Sequence, residues 1–247
     1  MRYFGGKTRI CKDVAKIIES VREPNQTFLS VFTGGGWVES LIQNKKICCD
    51  KHKYLIAMYQ ALQNGWEPPS QLSNEEYQHI KRYKDENPAL TGFVGFGCSF
   101  AGKWFGGYAK DSTNRNYCLN AKNSILKKMN GFKNTTFQCI DYRDLSPINS
   151  IIYCDPPYKG TTQYDTDEVG KFNHDEFWTI IRKWGEYNTV IISEYDAPND
   201  IECIWKRNVR LDIRDKNNQK KNRIEKLFGL NVDKSKIANN NLISIFA

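Results

Sequence analysis

The most chemically pointed stretch of the chain is Asp155-Pro156-Pro157-Tyr158, which directly follows the apolar run Ser150-Ile-Ile-Tyr-Cys154. Two consecutive prolines fix φ and remove two backbone N–H groups, so the corner is stiff and its carbonyls act only as acceptors. An acidic side chain, a bare carbonyl and an aromatic ring therefore meet at one strand end. A planar ring bearing an exocyclic amine complements that set. Asp155 and the Pro156 carbonyl can accept from the amine, while Tyr158 stacks on the ring. The plain alternative is a proline-stiffened turn.

A second group of residues suits a polar ligand beside that corner. Val31-Phe32-Thr33-Gly34-Gly35-Gly36 places glycines after a strand, where backbone can approach a ligand and a following helix N-terminus favours polar or anionic groups. The spacing does not fit G-x-G-x-x-G, so a dinucleotide is not indicated. Asp50 ends the next strand and can accept from a ribose diol; it can equally cap the helix that starts at Lys51. Gly5-Gly6-Lys7-Thr8 resembles the end of a phosphate loop, but Met1 stands where the first glycine is needed and no strand precedes it. ATP binding is rejected there, and Lys7 remains a cation able to meet a carboxylate. No Ser/His/Asp spacing supports a hydrolase. Cys48, Cys49 and His52 have no second pair at zinc-like spacing, so no metal site is expected.

These residues need a scaffold, and the apolar pattern supplies one. Helical spacing over residues 7–21, a strand at 27–32, a glycine turn at 33–36, a helix from 37 to 43, a strand at 46–49 and a helix at 52–63 alternate as in an α/β sheet. Residues 64–120 break the rhythm: a Pro-bearing link, a polar helix at 75–86, then a stretch of interleaved glycines and aromatics from Gly92 to Tyr108. A helix at 120–129 closes this segment. The alternation returns with strands at 135–140 and 150–154, a helix at 175–187 opened by His174 and Asp175, and a strand at 189–193. The tail reads as two antiparallel strands, 201–213 and 223–228, flanking a basic loop. The expected organisation is a catalytic domain of residues 1–63 and 121–247 with residues 64–120 inserted.

The chain has 247 residues, 40% of them hydrophobic and 26% charged, which argues against wholesale disorder. No apolar run approaches the length of a spanning helix, and the N-terminus lacks the apolar segment of a secretory leader. The formal charge is +8, and residues 206–236 hold 11 basic and 4 acidic residues, a local excess that suits a polyanion such as nucleic acid. The eight cysteines are scattered without a C-x-x-C pair and read as reduced, buried thiols.

Taken together, Tyr3-Phe-Gly-Gly-Lys7, Phe32-Thr-Gly-Gly-Gly36, Asp50, Asp141-Tyr142 and Asp155-Pro-Pro-Tyr158 resemble, in order and spacing, the Dam-like DNA adenine-N6 methyltransferases, especially the phage-encoded group. Gly97 to Tyr108 also resembles the phage members. The resemblance implies a Rossmann-like S-adenosylmethionine-dependent methyltransferase sheet with an inserted target-recognition subdomain, and S-adenosylhomocysteine as product. It implies that Tyr3 and Lys7 border the methionine part of the cofactor, that Phe32 and the Gly34-Gly35-Gly36 turn pass beneath it, and that Asp50 holds the ribose. Asp141 and Tyr142 would lie by the cofactor's adenine. Asp155, Pro156, Pro157 and Tyr158 would grip the target adenine. Thr33, and Tyr3 in place of a Trp found in some members, depart from the common pattern without removing a needed group.

Expected partners are double-stranded DNA and no membrane, for a cytoplasmic monomer or weak dimer in a bacterial or phage-infected cell. Lys103, Trp104, Tyr108, Lys110, Arg115 and Asn116 of the insertion could reach bases or phosphates, although Trp104 and Phe105 could equally pack the insertion's own core. Lys216, Lys220, Lys221 and Arg223 suit phosphate contacts. Asp165, Asp167 and Glu168 read as a solvated loop after the site. Two other readings stay open: a methyltransferase on another planar amine or amide, in RNA or protein, and a non-catalytic DNA-binding protein that kept the fold.

Overall fold

In the computed structural model, residues 1, 3–113, 115–160, 169–214 and 220–238 are described, the side chains of 210–222 and 238 excepted. Asp165, Asp167, Glu168 and Lys216, and the side chains of Lys220 and Lys221, therefore lie outside the described residues.

The chain opens with helix α1 (Cys11–Val21), whose Val14, Ile17, Ile18 and Val21 are buried at helical spacing. Strand β1 (Thr27–Ser30), strand β2 (Lys46–Asp50) and helix α2 (Lys53–Gln63) follow. Three helices come next: α3 (Asn74–Arg82), α4 (Pro88–Gly97) and α5 (Tyr117–Met129). The second half runs β3 (Thr135–Cys139), β4 (Ser150–Cys154), α6 (His174–Gly185), β5 (Thr189–Glu194), β6 (Glu202–Arg214), β7 (Lys220–Leu230) and α7 (Lys234–Ala238).

Among the described residues the strands form one seven-stranded sheet in the order β3-β2-β1-β4-β5-β7-β6. The first five strands are parallel, and β7 is antiparallel to both β5 and β6. β4 and β5 are buried along their whole length, as strands covered on both faces must be. The α/β reading holds, with a Rossmann-like sheet. The order reverses at β1, which pairs with β2 on one side and β4 on the other. A crevice opens beyond the carboxyl ends of strands at such a reversal.

Two expectations need correction. Residues 37–43 form no α-helix, only a short 3-10 turn at Glu39–Leu41. The carbonyls of Glu39 and Ile42 accept from the buried ammonium of Lys46, at 2.8 and 2.6 Å, and the Glu39 carbonyl also accepts from the Ile42 N–H at 3.3 Å, the i to i+3 bond of a 3-10 turn. Conversely, the glycine-rich stretch begins inside helix α4, which is opened upstream by the Asn87 cap and Pro88 and runs on to Gly97. Its glycines permit close approach rather than turning: a Cβ on Gly92 would stand 2.1 Å from the Tyr54 carbonyl oxygen, and one on Gly95 would stand 2.2 Å from the Trp104 ring. A core of Met58, Tyr59, Phe93, Phe96, Ile125 and Phe132 joins α2, α4 and α5. No helix among the described residues is long and apolar enough to cross a membrane. The cysteines are free, and most are buried.

Candidate active site

A single cavity at the carboxyl ends of β1, β2 and β4 is lined by residues 3–7, 31–39, 50–52, 141–143, 155–158 and 169–173, with Arg223 at one side. Every residue that the resemblance assigns to the cofactor borders it, as does the whole Asp155-Pro-Pro-Tyr158 corner.

The glycine turn leaves β1 with positive φ at Gly34 and Gly36, 47° and 62°. Asp50, from the end of β2, accepts from the Gly34 N–H and the His52 N–H, both at 2.9 Å. Burial pushes its carboxyl upward, and these N–H groups pull it back. Of the two roles open to Asp50 from sequence, the helix cap belongs instead to His52, whose ring accepts from the Leu55 N–H. No α-helix follows the turn, so no helix N-terminus assists it. Side chains anchor it instead: the Tyr59 hydroxyl donates to the Gly34 carbonyl at 3.1 Å, and the buried Lys128 ammonium donates to the Gly35 carbonyl. Tyr3 lies directly on the turn, since a Cβ on Gly35 would come within 2.8 Å of Tyr3 Cβ.

Asp141 accepts from Arg143 and pairs with Lys51 at 3.0 Å, and the guanidinium holds its carboxyl well below the usual range. Tyr142, buried beside Phe32 at 5.1 Å between ring centroids, builds an aromatic wall with Phe172 and Phe177. Burial pushes its hydroxyl up to about 12.

At the proline corner, Lys7 Nζ lies 2.7 Å from Asp155 Oδ1 and 4.4 Å from the Tyr158 ring centroid. Burial raises the Asp155 carboxyl, and Lys7 opposes the rise. Sequence reasoning missed three neighbours. Glu194, at the end of β5, is buried, raised to about 8 by that burial, and accepts from the Lys159 N–H and the Tyr195 N–H. The Tyr195 ring packs edge-on to Tyr158 at 4.5 Å. Glu225 of β7 is the third, and it pairs with Arg223. Glu194-Tyr195 ends β5 as Asp155 follows β4, a parallel position that could have flagged it. Lys128 carried no signal beyond its place on a helix.

The residues expected at DNA divide. Lys103, Lys110 and Arg115 are exposed, Arg115 beside Asp111 at 4.0 Å. Trp104 packs inward instead, 4.2 Å from the His52 ring and 4.8 Å from Phe96 between centroids. The Tyr108 hydroxyl donates to the Leu72 carbonyl at 2.6 Å. The Asn116 side chain caps α5 and donates to the Ser70 carbonyl, so its polar atoms serve the insertion itself. Arg223, expected on phosphate, faces the cavity.

A likeness to solved structures was found at low identity. The rRNA methyltransferase aviRa from Streptomyces viridochromogenes aligns at 9% identity over 96% of this chain and 88% of that one, with a TM-score of 0.40. A Thermoplasma acidophilum protein, 1320, aligns at 10% identity over 89% of this chain and 87% of that one, with a TM-score of 0.41. The comparison with curated proteins gave no match. The family profile described as "D12 class N6 adenine-specific DNA methyltransferase" matches residues 3–89 and 102–222, and with the glycine turn, Asp50 and the proline corner gathered on one cavity, the chain belongs to that methyltransferase family.

Proposed function

We propose that the protein transfers a methyl group from S-adenosylmethionine to N6 of adenine in double-stranded DNA. One observation carries the reading: the glycine turn and the acceptor-only corner line the same cavity. The residues suit the cofactor. The Asp50 and Asp141 carboxylates offer acceptors for a ribose and an adenine amine, and Phe32 and Tyr142 offer apolar faces. Tyr3 and Lys7 lie where a methionine group would end. When bound, S-adenosylmethionine supplies an activated methyl carbon.

The chain's own residues do the remaining work. The target amine is unreachable within stacked duplex DNA, so the adenine enters the corner extruded. Its nitrogen lone pair is delocalised into the ring. Hydrogen bonds from the amine to Asp155 and the Pro156 carbonyl favour a more pyramidal nitrogen and aim that pair. Asp155, with its proton affinity raised by burial, accepts the proton the amine gives up. Catalysis is then positioning and electrostatics, without a covalent enzyme intermediate. Residues 64–120 act as the target-recognition insertion, with Lys103, Lys110 and Arg115 on its exposed surface.

The test is a methylation assay on DNA, RNA and protein, joined to long-read sequencing of DNA from cells that express the chain. Modified adenines in one repeated context are expected. Methylation confined to RNA or protein would replace this reading. Cofactor binding without any transfer would mark a non-catalytic DNA-binding protein.

A further inference from the structure

The hairpin of β6 and β7 does more than close the sheet. β7 pairs with β5 as far as Glu194 opposite Lys226, and the strand extends beyond that point to Arg223, which pairs with Val209 of β6. Because β7 is antiparallel, this overhang covers the carboxyl end of β5, the side on which the cavity opens. Alternation along the strand places Arg223, Glu225 and Leu227 on one face. Leu227 is fully buried and Glu225 is 8% exposed, and the hairpin seats Arg223 against the protein with about a third of its side chain exposed, 33%.

There the Arg223 guanidinium lies 4.4 Å from the Tyr195 ring centroid and 5.9 Å from that of Tyr158, and it lines the cavity. Its Nε stands 3.1 Å from Glu225 Oε1. A guanidinium meant for the DNA backbone should present uncompensated charge to solvent. This one is already matched by a buried carboxylate and flanked by two aromatic rings. What it adds at the corner is a rigid fork of N–H donors at a fixed place.

We infer that Arg223 is a base-positioning residue, held by Glu225, that donates to a ring nitrogen of the extruded adenine while Asp155 and the Pro156 carbonyl hold its amine. The inference rests on the DNA methyl-transfer reading. Adenine presents acceptors at N1, N3 and N7; the Lys7 ammonium at the corner is engaged by Asp155, and Arg223 adds a planar fork of N–H donors for a ring nitrogen. Lys7 and Arg223 both lie near the buried Tyr158 ring, 4.4 and 5.9 Å from its centroid, so the two cations flank the proline corner.

The experiment uses the full chain and two duplexes in the sequence context that the wild-type protein methylates, one with adenine at the target for the methylation rate and one with 2-aminopurine there for base extrusion alone. Arg223→Gln is expected to lower single-turnover methylation by about 10–100-fold, as loss of a charge-assisted hydrogen bond does. The 2-aminopurine fluorescence rise should fall with it. S-adenosylhomocysteine affinity and the salt dependence of DNA affinity should stay as in wild type. Arg223→Lys keeps the charge without the fork, and should be as slow as Arg223→Gln. If Arg223→Gln methylates normally, or Arg223→Lys restores the rate, the inference is overturned. A salt slope reduced by about 0.9 at unchanged turnover would instead make Arg223 a phosphate contact. A wild-type protein with neither fluorescence rise nor DNA methylation overturns the underlying reading as well, which separates the two failures.

Discussion

Lys7 Nζ and Asp155 Oδ1 are 2.7 Å apart, joining the Gly5-Gly6 turn to the proline corner within the lining of the cavity. Lys7 is 8% exposed, so the pair is largely shielded from solvent. An arriving amine must share Asp155 with this ammonium or displace it. The ammonium also lies against the Tyr158 ring, which gives it a second favourable neighbour in the same place.

That pairing sets a pH dependence. Burial raises the Asp155 carboxyl and Lys7 restrains the rise, so the ionised acceptor is lost as pH falls through a value above the ordinary aspartate range. Lys7→Met removes the restraint, and the acidic limb of the single-turnover rate should move to higher pH. Asp155→Asn should lower the rate by about 10²–10³-fold and abolish that limb, with S-adenosylhomocysteine still bound. An unmoved limb in Lys7→Met would show that Asp155 does not titrate in the step.

Asp50 bonds the Gly34 and His52 N–H groups and so ties β2 to the glycine turn. Asp50→Ala should weaken S-adenosylhomocysteine binding by about 10–100-fold, because hydrogen bonds to a charged group contribute about 1.5–3 kcal/mol. Isothermal titration measures this directly.

Asp141 is held below its ordinary range by Arg143, with Lys51 assisting. A depressed folded-state carboxyl contributes stability that is present above the unfolded-state value and lost as pH falls through the folded-state value. The melting temperature of Asp141→Asn should lie below wild type at about pH 6, and the gap should close as the pH is lowered below about 4. Thermal unfolding monitored by circular dichroism at several pH values tests the sign.

Gly92 faces the Tyr54 backbone, with no room for a Cβ. Gly92→Ala should destabilise the fold by about 1–3 kcal/mol through overpacking, a cost read from urea unfolding. An unaffected midpoint would mean that α2 and α4 can separate without penalty.

Lys110 and Arg115 are exposed on the insertion. If each meets a phosphate, single alanine variants should each reduce the slope of log affinity against log salt by about 0.9. Trp104→Phe, by contrast, should alter stability more than that slope, since its ring packs on His52 and Phe96.

Local chain chemistry was enough to place the glycine turn, Asp50 and the proline corner at strand ends. Apolar runs bounded by turn residues mark strands, and prolines restrict their own backbone wherever they sit. The α/β class followed from the same alternation. Packing could not be read in this way. The glycines of α4 look like breakers in sequence, but neighbouring side chains and backbone make them contact points of a helix. Lys46 binds the carbonyls of Glu39 and Ile42 where a helix was expected, and no local pattern announces a buried ammonium. Trp104, Tyr108 and Asn116 have the types found at DNA surfaces, yet the fold packs the Trp104 ring on His52 and Phe96 and gives the Tyr108 hydroxyl and the exposed Asn116 amide partners within the insertion. Arg223 belonged by composition to a basic tail; only the antiparallel return of β7 past the end of β5 carries it to Tyr158. Residue types and short spacings fix local geometry, whereas a long-range partner is chosen by how strands pair and layers close, which is a property of the whole chain.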